Sequence, residues 1–136
     1  MKKTLIVVAS LLLCGAAYAQ NPKAADDAVV ESGNARFTVL TDRLIRMEWA
    51  EDGQFEDRAS LAIINRNLDV PAFKVRRDGG KTEIRTDAVT LTYSGNGKFT
   101  VDNLSVSFRM NGKNVIWKPG MEPTGNLKGT VRTLDG

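Results

Sequence analysis

Histidine is absent from this sequence, and cysteine occurs once, at Cys14. Without histidine the chain can build neither a Ser-His-Asp nor a Cys-His apparatus, and it lacks the commonest metal ligand. Oxygen ligands remain, but no stretch carries the D-x-[DN]-x-[DN]-G spacing of a calcium loop, so the sequence predicts no metal site and no cofactor. An excess of one charge is also lacking. The 19 Lys and Arg residues stand against 16 Asp and Glu residues, interspersed and without a basic stripe, which argues against a nucleic-acid partner. Nor is there an apolar run of about 20 residues to span a membrane, or a convincing amphipathic helix.

The longest apolar run lies at the amino end and is short. Met1-Lys2-Lys3 is followed by Leu5 to Ala17 and then by Ala17-Tyr18-Ala19 before Gln20. A basic start, a short apolar stretch and a small-x-small site specify a secretory signal peptide over 1–19, and so an exported protein, periplasmic or secreted, without a membrane attachment after cleavage. Lipidation at Cys14 fits less well, because Leu13 replaces the small residue such signals place before the cysteine. Cleavage after Ala19 leaves residues 20–136, an ordinary length for one domain. It also removes the only cysteine, so an exported chain must hold itself together by packing rather than disulfides.

Period-2 alternation dominates the rest of the chain. Residues 20–33 are polar and small and read as a flexible leader, with Ala28-Val29-Val30-Glu31 as a possible edge strand. Phe37 and Val39 alternate with Thr38 and Leu40; Ile45, Met47 and Trp49 alternate with Arg46 and Glu48. This predicts a hairpin turning at Thr41-Asp42, with one apolar and one charged face. It cannot bury its apolar face alone and must be one layer of a larger β-structure. Glu48, Glu51, Asp52, Glu56 and Asp57 crowd the loop after the hairpin. They read as a solvated connection turning at Asp52-Gly53 rather than as an acid/base site, since nothing nearby in sequence would shift a pKa.

Leu61, Ile63 and Ile64 predict a short buried strand over 60–65, and Val70-Pro71 a bend or sheet edge. Phe73–Arg77 and Lys81–Thr86 flank Asp78-Gly79-Gly80, a hairpin turn. Val89, Leu91 and Tyr93 predict a strand, Phe99–Val101 the start of another that breaks at Asp102-Asn103, and Leu104–Arg109 and Lys113–Trp117 a hairpin through Asn111-Gly112. From Lys118 onward Pro and Gly recur without sustained periodicity. The fold class expected is all-β: an antiparallel β-sandwich over 34–117, with 118–136 as loop or linker.

Three stretches, Arg36–Trp49, Ala59–Phe73 and Asn126–Gly136, together resemble the start of glycoside hydrolase family 31 enzymes, the α-glucosidase and α-xylosidase group. The likeness lies in strands and turns rather than in catalytic signatures. It implies an N-terminal β-sandwich, similar in shape to galactose-mutarotase-like domains, that packs against a catalytic (β/α)8 barrel of the same, longer polypeptide. The family's two catalytic aspartates belong to that barrel, so the resemblance assigns no catalytic residue here. It implies a supporting domain that lends a loop to the rim of the substrate pocket, with the Gly/Pro-rich segment from Lys118 to Gly129 and the Asp52-Gly53 loop as the candidates; Asp52 and Trp117, whose aromatic face suits the apolar side of a pyranose, are the residues offered to an oligosaccharide. By spacing alone Trp117 belongs to the core, because it shares a face with Val115, and Trp49 belongs there too, in phase with Ile45 and Met47. Two other classes fit the same residues: a stand-alone carbohydrate-binding module, and an envelope interaction domain.

Overall fold

A computed structural model describes residues 21–122. The signal peptide, Cys14 and the Asn126–Gly136 stretch lie outside the described residues. The described chain is all-β, with a single 3-10 turn at Asp26–Ala28 and eight strands: β1 (Val29–Ser32), β2 (Ala35–Thr41), β3 (Leu44–Trp49), β4 (Lys74–Asp78), β5 (Lys81–Arg85), β6 (Val89–Ser94), β7 (Leu104–Met110) and β8 (Lys113–Trp117). They form two antiparallel sheets, β1-β2-β3 and β4-β5-β6-β7-β8, in which sequence neighbours pair. No helix among the described residues is long and apolar enough to cross a membrane.

Turn chemistry explains the meander. Asn111 and Gly112 take φ of 52° and 75°, the left-handed pair that a two-residue hairpin loop needs to match strand twist, and so Met110 faces Lys113. The β2–β3 turn at Asp42-Arg43 has no such residue. There the register slips between Val39 and Thr41, leaving Leu40 as an extra residue that absorbs the mismatch.

The sheets meet through their alternating apolar faces. Val30, Ala35, Phe37 and Val39 from the three-stranded sheet close on Ile84, Leu91, Tyr93 and Leu104 from the five-stranded one. At the centre the Phe37, Tyr93 and Phe99 rings lie 5.5–5.8 Å apart, Tyr93 and Phe99 edge to face at 87°. The buried Tyr93 hydroxyl donates to the Gly97 carbonyl at 2.6 Å, which satisfies its polar end, and burial raises its pKa. At one end of the sandwich Thr86 Oγ1 donates to the Asp42 carbonyl (2.6 Å) and accepts from the Ala88 and Val89 amides, pinning the first hairpin to the second sheet.

Four sequence expectations need correction. The leader is not free through residue 33, because the edge strand that Ala28–Glu31 offered does form, as Val29–Ser32 paired with β2 and with Val30 buried. Residues 60–65 form no strand. Ser60 closes on Ile63 through its amide (3.1 Å) and hydroxyl, and Leu61, Ile63 and Ile64 do not alternate, so one sheet face cannot take all three. Phe99 packs into the core, but Phe99–Val101 forms no strand, and the chain turns over Val101–Asn103. The Asn103 side chain accepts from the Thr100 amide and donates to the Lys98 carbonyl, both at 2.8 Å, which outcompetes a ladder. Trp117, expected in the core with Val115, is 40% exposed, for a reason that lies in the unequal size of the two sheets.

Candidate functional site

The outward face of β2 is as buried as its inward face: Arg36, Thr38 and Leu40 are covered along with Phe37 and Val39. The long connection from β3 to β4 lies against Arg36, and arginines fasten it. Arg36 and Glu48 stand opposite each other in the β2–β3 register, so the guanidinium forms a two-pronged pair with the carboxylate, Nε to Oε2 at 2.9 Å and Nη2 to Oε1 at 3.2 Å. Arg36 Nη1 also reaches Asp57 Oδ1 at 2.7 Å, and its head lies 4.7 Å from the Phe55 ring centroid.

The connection is gripped at one carbonyl. Arg36 Nη2, Arg46 Nη2 and Arg66 Nη1 all donate to the Glu56 oxygen, each at 3.2 Å. Arg66 Nη2 donates to the Arg58 carbonyl at 2.7 Å, and the Asn21 carbonyl receives the Arg66 amide at 2.9 Å. Arg46 Nη1 rests against the Glu48 carboxylate as a charge contact without hydrogen-bond geometry. Burial alone would lower the Arg36 pKa, but its bonds to Glu48 and Asp57 outweigh that and hold it above the ordinary value. Burial dominates at Arg46 and lowers it despite the Glu48 charge.

This arrangement binds backbone and engages three of the five carboxylates that crowd this part of the sequence. Glu48 is held by Arg36 and Arg46, and Asp57 by Arg36. The Glu56 side chain accepts from the Arg58 side chain, which holds its pKa down at about 2, helped by the Arg58 amide. The expectation that nothing nearby shifts a pKa is corrected at Glu56, where the shift comes from an arginine two residues away, and the solvated reading is corrected at Glu48, which is held in a largely covered pair with Arg36; Glu56 and Asp57 stay about half exposed. Arg36 and Glu48 were visible in phase on the charged face of the predicted hairpin. Arg66, set between two asparagines, gave no signal. Among the described residues no group of three or more His, Cys, Asp or Glu side chains is placed to hold a metal ion.

What the grip displays is apolar. Leu61 on the connection stands fully exposed, and Ile64 and Leu68 are 49% and 40% exposed. Fastening Glu56, Arg58 and Arg66 fixes the backbone on both sides of Leu61 and Ile64, so these side chains are held outward.

The two residues that the sequence offered for sugar contact are separated. Asp52 is exposed in the turn after β3, where its Oδ1 accepts from the Gln54 amide at 3.0 Å. Trp117 lies at the other end of β3, about 20 Å of strand away. There it lines a groove of about 450 Å³ with Leu44, Met47, Val89, Val106 and Phe108, flanked by Arg43 and Arg109. The groove is the gap left between β3 and the β6–β8 face. Trp49 instead packs against the core, donating from Nε1 to the Asn96 carbonyl at 3.0 Å under the Lys98 ammonium. No protein-family model matches the chain, and no curated protein matches it in sequence.

Proposed function

We propose that the chain is the non-catalytic N-terminal β-sandwich domain of an exported family 31 glycoside hydrolase acting on α-linked glycosides, supporting a catalytic barrel of the same, longer polypeptide. One observation carries this reading beyond the likeness of three stretches. The connection over 59–73, one of those stretches, leaves Leu61, Ile64 and Leu68 in solvent on a backbone tied down at Glu56 and Arg58 just before it and at Arg66 within it. Apolar side chains on a loose loop can fold away from water, whereas these are fixed where only a second surface can cover them. The described residues contribute support and docking, and the hydrolytic chemistry belongs to the barrel.

The test has two parts. Reading the coding DNA in frame beyond Gly136 is expected to show several hundred further codons with a βα repeat. The chain alone is expected to self-associate on size exclusion, with a Leu61→Ser/Ile64→Ser variant running as a monomer. An immediate stop codon together with a monodisperse wild-type chain refutes the reading.

The exposure of Trp117 favours a second reading, a carbohydrate-binding module, because an indole open to solvent in an apolar groove can stack on a pyranose face. Calorimetric titration with glucan and xyloglucan oligosaccharides decides it: saturable heat that vanishes in Trp117→Ala supports the module, and a flat titration at millimolar sugar removes it.

A further inference from the structure

The outward face of the five-stranded sheet carries a row of paired residues, Lys74, Arg85, Thr90, Ser107 and Ile116, one from each strand. They stand on the opposite face from Ile84, Leu91 and Val106, because neighbours along a strand point to opposite sides. Two depressions lie along this row and meet at Arg85, Thr86 and Asp87, one of about 440 Å³ toward β8 and one of about 400 Å³ toward β4. Together they make a trough across the sheet, about 19 Å long for five strands at ordinary spacing. Its cations come from three strands, Lys74, Arg85 and Arg109, and the one carboxylate among its lining residues is Asp87. Among the described residues none of these three cations is paired with a carboxylate, whereas Arg36, Arg43, Arg46, Arg58 and Arg76 each are. Lys74 and Arg85 face each other in register, and like charges placed directly opposite on neighbouring strands destabilise a sheet. An anion between them would turn that repulsion into two attractions.

We propose that this trough binds an acidic oligosaccharide, its uronate carboxylates taken by Lys74, Arg85 and Arg109 and its hydroxyls by Thr90, Ser107 and Asn114. The centre of the row is short and polar. Ser107 Oγ makes only a long bond to the Thr90 carbonyl, 3.4 Å, so hydroxyl and carboxamide groups lie between the cations, able to exchange hydrogen bonds with the hydroxyls of a sugar ring. Arg109 is steadied at one end, its Nη2 donating to the Gly112 carbonyl at 3.1 Å. A peptide fits this trough poorly. β5, β6 and β7 are paired on both sides, so an incoming main chain finds no free edge there to extend. Nucleic acid fits poorly too, since bases need exposed rings to stack on, and both bordering phenylalanines are committed elsewhere. Phe73 packs against the core, and Phe108 lines the groove on the other face of the sheet. The site is independent of the family reading, because it shares no residue with the apolar face of the 59–73 connection and lies across the sheet from Trp117.

The test is calorimetric titration of the full chain with hexamers of galacturonate and of mannuronate at low salt. Saturable heat is expected with at least one of them. Lys74→Ser and Arg85→Ser should each weaken it about tenfold, as the loss of a charge-assisted hydrogen bond does. Raising the salt from about 0.05 M to about 0.3 M should weaken the wild type too, since the trough is open to solvent. Arg76→Ser removes an exposed cation of the same face that Asp78 already pairs, and it should leave binding unchanged, as should Trp117→Ala. Lys74→Ser relieves a like-charge contact, so its melting temperature should not fall, which separates lost binding from lost folding. The proposal is overturned by a flat titration with both hexamers at millimolar concentration, by equal affinity for neutral maltohexaose, or by wild-type binding in both trough variants. Equal or tighter binding of a single-stranded DNA hexamer overturns it in favour of a general polyanion surface, and uronate binding lost only in Trp117→Ala overturns it in favour of the groove.

Discussion

Replacing Arg36 by methionine removes a guanidinium while keeping most of the aliphatic stem, so it isolates what the charge does for the connection. In the native chain this group binds both Glu48 oxygens, Asp57 and the Glu56 carbonyl, with its side chain and that of Glu48 only 10% and 13% exposed. Breaking a buried pair by deleting one partner typically costs about 3–5 kcal/mol, because the other charge is left desolvated. Two features place Arg36→Met below that range. Glu48 keeps Arg46 beside it, and the Asp57 side chain is 49% exposed and can take up water. The loss should be about 2–3 kcal/mol, with the Glu56 carbonyl retaining two of its three donors. In urea, with a slope of about 1–2 kcal/mol/M for a domain of this size, the midpoint falls by about 1–3 M. Asp57→Asn removes only the exposed partner and should cost about 0.5–1 kcal/mol. Limited proteolysis gives a second readout, since cleavage between residues 55 and 66 should precede global unfolding in Arg36→Met. A loss under about 0.5 kcal/mol, with no new cleavage there, would show the cluster to be an ordinary surface ion pair and sink the anchoring argument.

The same structure sets three further expected outcomes. The Glu56 carboxyl sits at about 2 in the fold against an ordinary 4.5, a depressed value, so its contribution is present above about 4.5 and is lost as pH falls from there through about 2. A carboxyl resonance titrating near 4.5 in the native state would refute the contact with Arg58. Gly33→Ala meets both a φ of 56° and an approach of 2.9 Å between the new Cβ and the Asn96 Cβ; thermal unfolding should show a loss of at least about 1 kcal/mol, and an unchanged melting temperature counts against the close contact at that turn. Phe37→Ala deletes the fully buried ring between Tyr93 and Phe99 and should cost about 3–5 kcal/mol in chemical denaturation, while a cost near 1 kcal/mol would mean that the two sheets do not share one core.

By itself the sequence determined the strands whose pairing is local. Phe37/Val39 against Ile45/Met47, Val89/Leu91/Tyr93 and Leu104/Val106/Phe108 are legible because side chains on a pleated strand alternate, and Asn111-Gly112 or Gly79-Gly80 is legible because a tight hairpin needs backbone angles that few residues adopt. Only the tertiary structure decided what lies outside the strands or between the sheets. An apolar run such as Leu61–Ile64 looks like core until the sheet it would join has no place for it. Trp117 is in phase with the core, yet phase says nothing of whether the opposite sheet extends far enough to cover it. The grip on Glu56 draws on Arg36, Arg46 and Arg66, which meet at one carbonyl only after a hairpin and a connection have folded over each other. Periodicity reports which face of a strand is apolar; what covers that face is set by contacts distant in the chain, and no local pattern encodes them.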